Sequence, residues 1–431
     1  MLKILIKAKI FIYPVLFFCL LFMIYQFNFF ATVSNNFFDK FQKDSEALVV
    51  GGIVADQLGL EKQGWNLGFV VKNGNFSSSQ NLFDSYEIFA ENKSYPQAVF
   101  VPYKSQIGGQ GWFYSFLNKY FNTNSVEILQ FLPSALLALL VVLFHYLHTK
   151  VYGQMYAMVF SFTFTFSPWV SAFARNLYWS PFLWFLPCFF ATLACITKSS
   201  YLRNFYFLLL FISFFAKCLG GYEFITSITL FACSPFVIGP FFNGIAKPNI
   251  KSAAIVFILC ILGFISAFLI HANMRGQTIS DGIVSIYQDD IKRRTYSDPS
   301  NFDPILKDSL TVSPIIVVKT YIFNWGRNFI TGVNGVFFQI ILILVVIGLF
   351  ISKKHSHKTF VRDFVLISFM SLIPLSWYIM AKAHSQVHTS TNYVLWYFGF
   401  IPALFFVGIN FLVILFQKAK KRYSHLNSEK F

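Results

Sequence analysis

The sequence predicts an all-α, polytopic helical membrane protein of about ten transmembrane helices, and three observations carry that expectation. Residues of the AVILMFWYC set make up 56% of the 431-residue chain, only 12% are charged, and 58 are Phe. A water-soluble fold this apolar has too little polar surface to present to solvent. The apolar residues also fall in long runs, near the 20 residues or so that a helix needs to cross the hydrocarbon core. Alternating strands of a membrane β-barrel do not produce such runs. Finally, Lys and Arg recur in every second connection, which is the asymmetry that orients membrane helices. The chain, 1–431, therefore reads as one integral membrane domain.

The first expected span, Ile10–Val33, follows Lys3, Lys7 and Lys9. Its apolar run is too long for a cleaved leader and has no clear small-residue cleavage site, so it reads as a retained signal anchor. Further spans are expected at Ile128–Leu147, Tyr152–Phe173, Trp179–Ile196, Phe205–Gly220, Phe224–Phe242, Ala253–His271, Val336–Ile351, Phe364–Met380 and Val394–Phe416. With that count, Lys150, Lys198 and Arg203, Lys247 and Lys251, Lys353, Lys354, Lys358 and Arg362, and the basic tail 417–431 all share the side of the first lysines. The positive-inside rule then places both termini in the cytoplasm, in a multi-pass plasma-membrane topology. The net charge of +16 is mostly this orientation signal; spread over successive loops, it forms no patch for nucleic acid. The six Cys lie in or at the ends of apolar runs and make neither a disulfide framework nor a zinc pattern. A composition heavy in Phe, Ile, Lys and Asn points to an AT-rich genome, and the stretches GGYEF and KAHSQVHTSTNYVLW are similar to bacterial membrane proteins from polysaccharide loci.

The informative connections are then all on the outer face. The first, 34–126, is long enough to carry its own structure. It opens with FFDKFQKDSEALVVGGIVADQLGL, in which Asp44 and Glu46 precede an amphipathic helix expected over Asp44–Leu60. Asp44 or Ser45 suits the helix cap, because a side-chain oxygen there satisfies free N–H groups; equally, the two carboxylates can converge on a ligand or cation from a turn. A Gly/Asn/Ser-rich turn, GNFSSSQN, follows, and Asn75-Phe76-Ser77 and Asn92-Lys93-Ser94 match the glycosylation acceptor pattern. Gln106, then Gly108, Gly109 and Gly111, form a tight approach to a second amphipathic helix, Trp112–Phe121.

Four shorter outer connections supply the remaining candidates. Arg175 is the lone charge of SPWVSAFARNLYW, either an interfacial anchor or a planar fork for phosphate or sugar hydroxyls. In KCLGGYEF, Lys217 and Glu223 flank Tyr222 almost within the hydrocarbon, where charges face a cavity or each other. The segment 273–334 carries Asp289-Asp290 before Lys292, Arg293 and Arg294, expected as a solvated mixed-charge loop, and then an interfacial stretch with Trp325 and Arg327. In KAHSQVHTSTNY, one helical turn puts His384 and His388 on one face; without an HExxH pattern, hydrogen bonding to sugar or phosphate, or a structural role at the helix end, outweighs metal ligation.

A cytoplasmic N-terminus, a long first outer loop opening on Asp44-Ser45-Glu46, and a basic residue, Arg175, between the third and fourth spans resemble the GT-C class of integral membrane glycosyltransferases, such as protein O-mannosyltransferases and aminoarabinose transferases. The resemblance covers roughly the first seven spans, and D-x-E stands where the class has Asp-Asp, Asp-Glu or Asp-x-Asp. It implies transfer of a sugar from a polyprenyl-phosphate donor to a glycan, lipid or protein acceptor at the outer face, with inversion at the anomeric centre. Asp44 and Glu46 then act as catalytic carboxylates. Arg175, Lys217 or Arg327 would hold the leaving phosphate, and a divalent cation is a possible cofactor. Glu223, Tyr222, Gln106, His384 and His388 complete the substrate-binding candidates. Two other classes fit a membrane protein of this size. An O-antigen-type polymerase or flippase favours its large loop late in the chain, and a small-molecule transporter favours inverted repeats, of which none is visible.

Overall fold

The computed structural model describes residues 2–72, 83–91, 93, 95–245 and 247–428. Asn75 and Asn92 of the two glycosylation patterns, and the GNFSSSQN turn, lie outside the described residues. The chain is an all-α polytopic bundle carrying one small two-stranded sheet.

Among the described residues, seven helices are long and apolar enough to cross a membrane: Val126–Tyr152, Ser200–Leu219, Ile225–Phe242, Ile250–Arg275, Val336–His355, His357–Met380 and Phe400–Lys420. Each matches an expected span. The other three expected spans come out differently. The first lies in the helix Leu2–Phe27, which stops six residues before Val33. The third is broken into Gln154–Thr165 and Pro168–Phe173. Pro168 has no N–H to continue a helix and pushes the preceding residue toward extended backbone, and the Ser167 side chain caps the new helix by accepting from Val170 N at 3.0 Å. The fourth begins at Phe182, because Ser180 has positive φ and Pro181 follows. Its 15 residues rise only about 22 Å at 1.5 Å each, short of the roughly 30 Å hydrocarbon core.

The segment 34–126 folds as a compact cap. Helix Asn35–Lys40 leads into helix Lys43–Leu58, ended by Gly59 in the left-handed conformation. Strands Gly68–Val71 and Val99–Pro102 pair antiparallel, with Phe69 opposite Val101. Helices Asp84–Glu91 and Gly109–Phe121 complete the cap. Helix Lys43–Leu58 is not the amphipathic surface helix expected. Every residue from Glu46 to Ala55 is buried, because the cap packs on several sides of it. Gly51 and Gly52 make this possible: a Cβ on either would lie 2.1 or 2.2 Å from the backbone oxygen of Gly68 or Asn66. Helix Gly109–Phe121 is amphipathic as expected, with Trp112, Phe113, Phe116, Tyr120 and Phe121 exposed along it.

The segment 273–334 is a run of short helices whose starts are written in the sequence. Thr278 and Asp281 form a reciprocal capping box, and Asp303 and Ser313 cap helices that open on Pro304 and Pro314. Between them a π-helical turn, Tyr287–Ile291, leads into Lys292–Arg294. The basic tail expected at 417–431 continues the last helix, Phe400–Ser428.

Two hydrophobic cores result, one in the helix bundle and one in the cap, with Trp179 and Met274 packed against both. The connections read as outer converge at the cap end. Several of the Lys- and Arg-bearing connections gather elsewhere: Arg362 lies over Phe242 and Phe406, 5.3 and 5.2 Å from their centroids, and Lys358 packs beside Gly244.

Candidate active site

A cleft of about 170 Å³ opens where the cap meets the bundle. Its lining comes from six separate segments: Gln42 and Ser45, Tyr103, Tyr178 and Trp179, Glu223, Arg293 and Arg294, and the helix Lys382–Val387 with His388.

Glu223 forms the floor. The chain passes Gly220 and Gly221 with almost no loop, and Gly221 has φ near 138°. A Cβ there would sit 2.5 Å from Glu223 Oε2, so only glycine lets the carboxylate fold back over the turn. Glu223 Oε1 accepts from Gln106 Nε2 at 2.6 Å and from Arg294 Nη1 at 3.3 Å. Lys217 does not pair with this carboxylate, contrary to one of the two expectations. Its ammonium donates to the backbone oxygens of Gly221 and Glu223 at 2.5 and 2.6 Å and so ties the turn.

Arg293 and Arg294 are the cations of the cleft, and sequence reading treated them as part of a solvated loop. The structure corrects this. Asp290 is buried and bonds both Arg275 and Arg293. Arg275 also holds Asp289 at 2.7 Å and the Lys104 oxygen at 2.9 Å, while Arg293 reaches Ser105 Oγ at 3.0 Å. This clamp fixes the π-helical turn against the cap and leaves Arg294 facing the cleft. Arg294 carries five N–H donors, and its one hydrogen bond among the described residues is the bond to Glu223. The spacing of Asp290, Arg293 and Arg294 was a usable signal for a one-turn ion pair; nothing local pointed to Arg275.

His384 and His388 lie against each other where the helix Lys382–Val387 packs beside Lys292–Arg294, ring centroids 4.4 Å apart and planes tilted by 39°. His384 is buried and its Nδ1 faces the Asn392 amide nitrogen at 3.5 Å. An amide NH₂ only donates, so Nδ1 accepts and Nε2 carries the proton. Burial, then His388, Arg294 and Arg293, hold His384 well below the ordinary histidine value. The unfolded chain thus binds a proton near pH 6.5 that the folded chain refuses. The stability this contributes is complete above that pH and is lost as pH falls. Thermal unfolding of wild type and His384→Asn from pH 8 to about 5 should show a steeper acid loss in the wild type; parallel curves would mean that His384 titrates freely.

The acidic stretch divides into two roles. Glu46 is buried, and its two oxygens accept from Gln130 Nε2 at 3.0 and 3.1 Å, Leu177 N at 3.0 Å and Tyr86 OH at 3.0 Å. Burial pushes its carboxyl above the ordinary range, against those donors and Arg175. It is an anchor and does not line the cleft. Glu46→Ala would strand these donors in the interior at about 1–3 kcal/mol each. The variant should unfold at markedly lower denaturant, and an unchanged midpoint would remove the anchoring role.

Asp44 is exposed beside the cleft without lining it: its neighbours Gln42 and Ser45 line the cleft, whereas Asp44 lines a separate surface pocket with Lys43 and Tyr86. Its Oδ1 accepts from Ser45 N at 2.8 Å, and Oδ2 has no partner among the described residues. Burial, then Arg294, hold His388 below the ordinary histidine value, against the negative charges of Glu223 and Asp44. The turn that presents Asp44 is over-determined. Gln42 has positive φ, its side-chain oxygen accepts from Trp179 Nε1 and Ser45 Oγ, and its backbone oxygen accepts from Asn176. Strain held this firmly is a feature of functional turns. The two acids do not converge, and Glu46 has no oxygen to spare, so this pair does not fit a divalent cation. Among the described residues, no group of three or more His, Cys, Asp or Glu could hold a metal ion.

The remaining candidates lie elsewhere. Arg175 sits over Phe38, pairs with Asp39 at 2.7 Å and reaches the Gln26 oxygen. Tyr222 bonds His271 at 3.3 Å. Arg327 covers Phe37. None of the three lines the cleft, nor does Gln106.

No family model and no curated protein sequence matches this chain. Two crystal structures of the Archaeoglobus fulgidus oligosaccharyltransferase are similar to it. One is a complex with Zn and sulfate, with 15% identity and a TM-score of 0.39, covering 89% of this chain and 51% of that one. The other is tethered to an acceptor peptide containing the NVT sequon, with 14% identity and a TM-score of 0.40, covering 88% and 50%. The chain thus spans about half the length of either.

Proposed function

We propose that the cleft transfers a sugar from a polyprenyl-phosphate carrier to a hydroxyl of a glycan, lipid or protein acceptor at the outer face of the membrane. The observation that carries this reading is Arg294, a guanidinium with most of its donors uncommitted, held beside a carboxylate and two imidazoles where spanning helices meet the cap. A lipid-linked donor needs this placement, since its tail stays in the bilayer while its phosphate meets cations at headgroup depth.

In the reaction, Arg294 binds the phosphate and stabilises the negative charge it gains as the glycosidic C–O bond breaks. Arg293, steadied by Asp290, adds to the same field. His384 offers Nε2–H from the neighbouring helix Lys382–Val387. Asp44, beside the cleft, takes the proton from the attacking acceptor hydroxyl, and the oxygen of that hydroxyl forms the new bond to the anomeric carbon. Glu223 aligns Arg294 and faces the sugar. Attack opposite the leaving phosphate inverts the anomeric centre.

The test is reconstitution of the purified chain in nanodiscs with polyprenyl-phosphate sugars extracted from the native membranes and with glycolipid acceptors from the same source. Release of polyprenyl phosphate coupled to a heavier acceptor in mass spectra is the expected result. Movement of intact carrier across the bilayer without cleavage would replace transferase by flippase.

A further inference from the structure

Behind the cleft lies a second, much smaller polar pocket. It is lined by Gln110, Tyr178, Trp179, Ser180, Leu183, Trp184, Lys217, Gly220 and Glu223, of which Tyr178, Trp179 and Glu223 also line the cleft. Its volume is about 10 Å³, room for one water-sized group.

Its polar lining is unusual. Gln110 is 4% exposed, yet neither its amide nitrogen nor its amide oxygen has a hydrogen-bond partner. Lys217 has three N–H donors, of which two are committed to backbone oxygens. Glu223 Oε2 accepts no hydrogen bond among the described residues, its partners both lying on Oε1. Ser180, by contrast, is already bonded to the Leu177 oxygen and to Tyr114. Native proteins rarely bury a whole primary amide unpaired, and such a group calls for an explanation in terms of what it receives.

We infer that this pocket reads one hydroxyl of the transferred sugar, with Gln110 as the specificity-determining residue. A hydroxyl donates one hydrogen bond and accepts up to two. It can donate to Gln110 Oε1 or Glu223 Oε2 while accepting from Gln110 Nε2 or Lys217. An ammonium substituent would meet Lys217, a carboxylate would meet Glu223, and an acetamido group exceeds the space. This assignment rests on the transferase reading above and names the feature of the donor that the site selects.

The test turns on opposite signs for stability and function. Gln110→Met keeps the length of the side chain but removes both unpaired polar atoms. Purified full-length protein is heated with and without polyprenyl-phosphate sugars extracted from native membranes, and transfer is measured at limiting extract. Wild type should be stabilised by the extract. Gln110→Met should unfold at the same or a higher temperature without extract, and lose about tenfold in extract binding and transfer, the size of one or more hydrogen bonds. Gln110→Ala should show the same tenfold loss, and full activity in that variant would mean that Met merely blocks the cleft. A lower melting temperature for Gln110→Met with an unchanged response to extract would make Gln110 a structural group and overturn the assignment. If wild type itself neither responds to the extract nor transfers sugar, the transferase reading fails first, and the subsite with it.

Discussion

Asp44→Asn should reduce sugar transfer by about a hundred- to ten-thousand-fold, the range for removing a general base, while leaving the folded protein as stable as wild type. The asparagine oxygen can still accept from Ser45 N, as Asp44 Oδ1 does, and Asn and Asp serve about equally well at helix starts. The contrast with Glu46, two residues on, makes the experiment sharp. Asp44 is exposed and has one oxygen free, whereas Glu46 is buried with both oxygens occupied. Substitutions at Asp44 should act on rate at constant abundance, and substitutions at Glu46 on abundance at constant rate per folded molecule. The measurement is product formed by each variant normalised to membrane-inserted protein. Near-normal turnover in Asp44→Asn would leave this turn as a helix start and move the base to Glu223.

Arg294→Met should cost about a hundred- to a thousand-fold in turnover, as for loss of a donor aimed at developing charge in a water-poor site. Arg294→Lys should recover only part of that. Lysine keeps the charge but loses the planar fork that grips two phosphate oxygens at once. Removing the guanidinium also leaves Glu223, which is buried, without its cation, so some stability is lost as well. The double variant Arg294→Met, Glu223→Gln separates the two effects, because it removes the unpaired charge. Its stability should return toward wild type while turnover stays low. Turnover that recovers with stability would make Arg294 a structural partner of Glu223 and nothing more.

Several features follow directly from segments of the sequence. The helices of the seven long spans lie where their apolar runs do, because a helix buried in lipid satisfies its own backbone and needs no distant partner. The breaks at Ser167-Pro168 and Ser180-Pro181 are equally local, although apolarity runs straight through them. Helix starts at Thr278, Asp303 and Ser313 and the turn at Gly220-Gly221 also depend on neighbouring residues alone. The candidate list drawn from the loops contained Glu223, His384 and His388, all of which line the cleft.

Tertiary structure decided which charges meet. Glu223 pairs with Arg294 across 71 residues, and Glu46 holds the Leu177 amide across 131. Arg175, the most conspicuous cation by its isolation in sequence, is paired with Asp39, while Arg293 and Arg294, hidden in a charge-rich run, line the cleft. No periodicity encodes such pairings. They depend on how helices far apart in the chain pack, and burial then makes the difference between a partnered and a free group large, because desolvation and pairing both act on the same few side chains. The chain's apolar pattern determined that it is a membrane bundle; the packing of its loops determined which of its charged groups face the cleft.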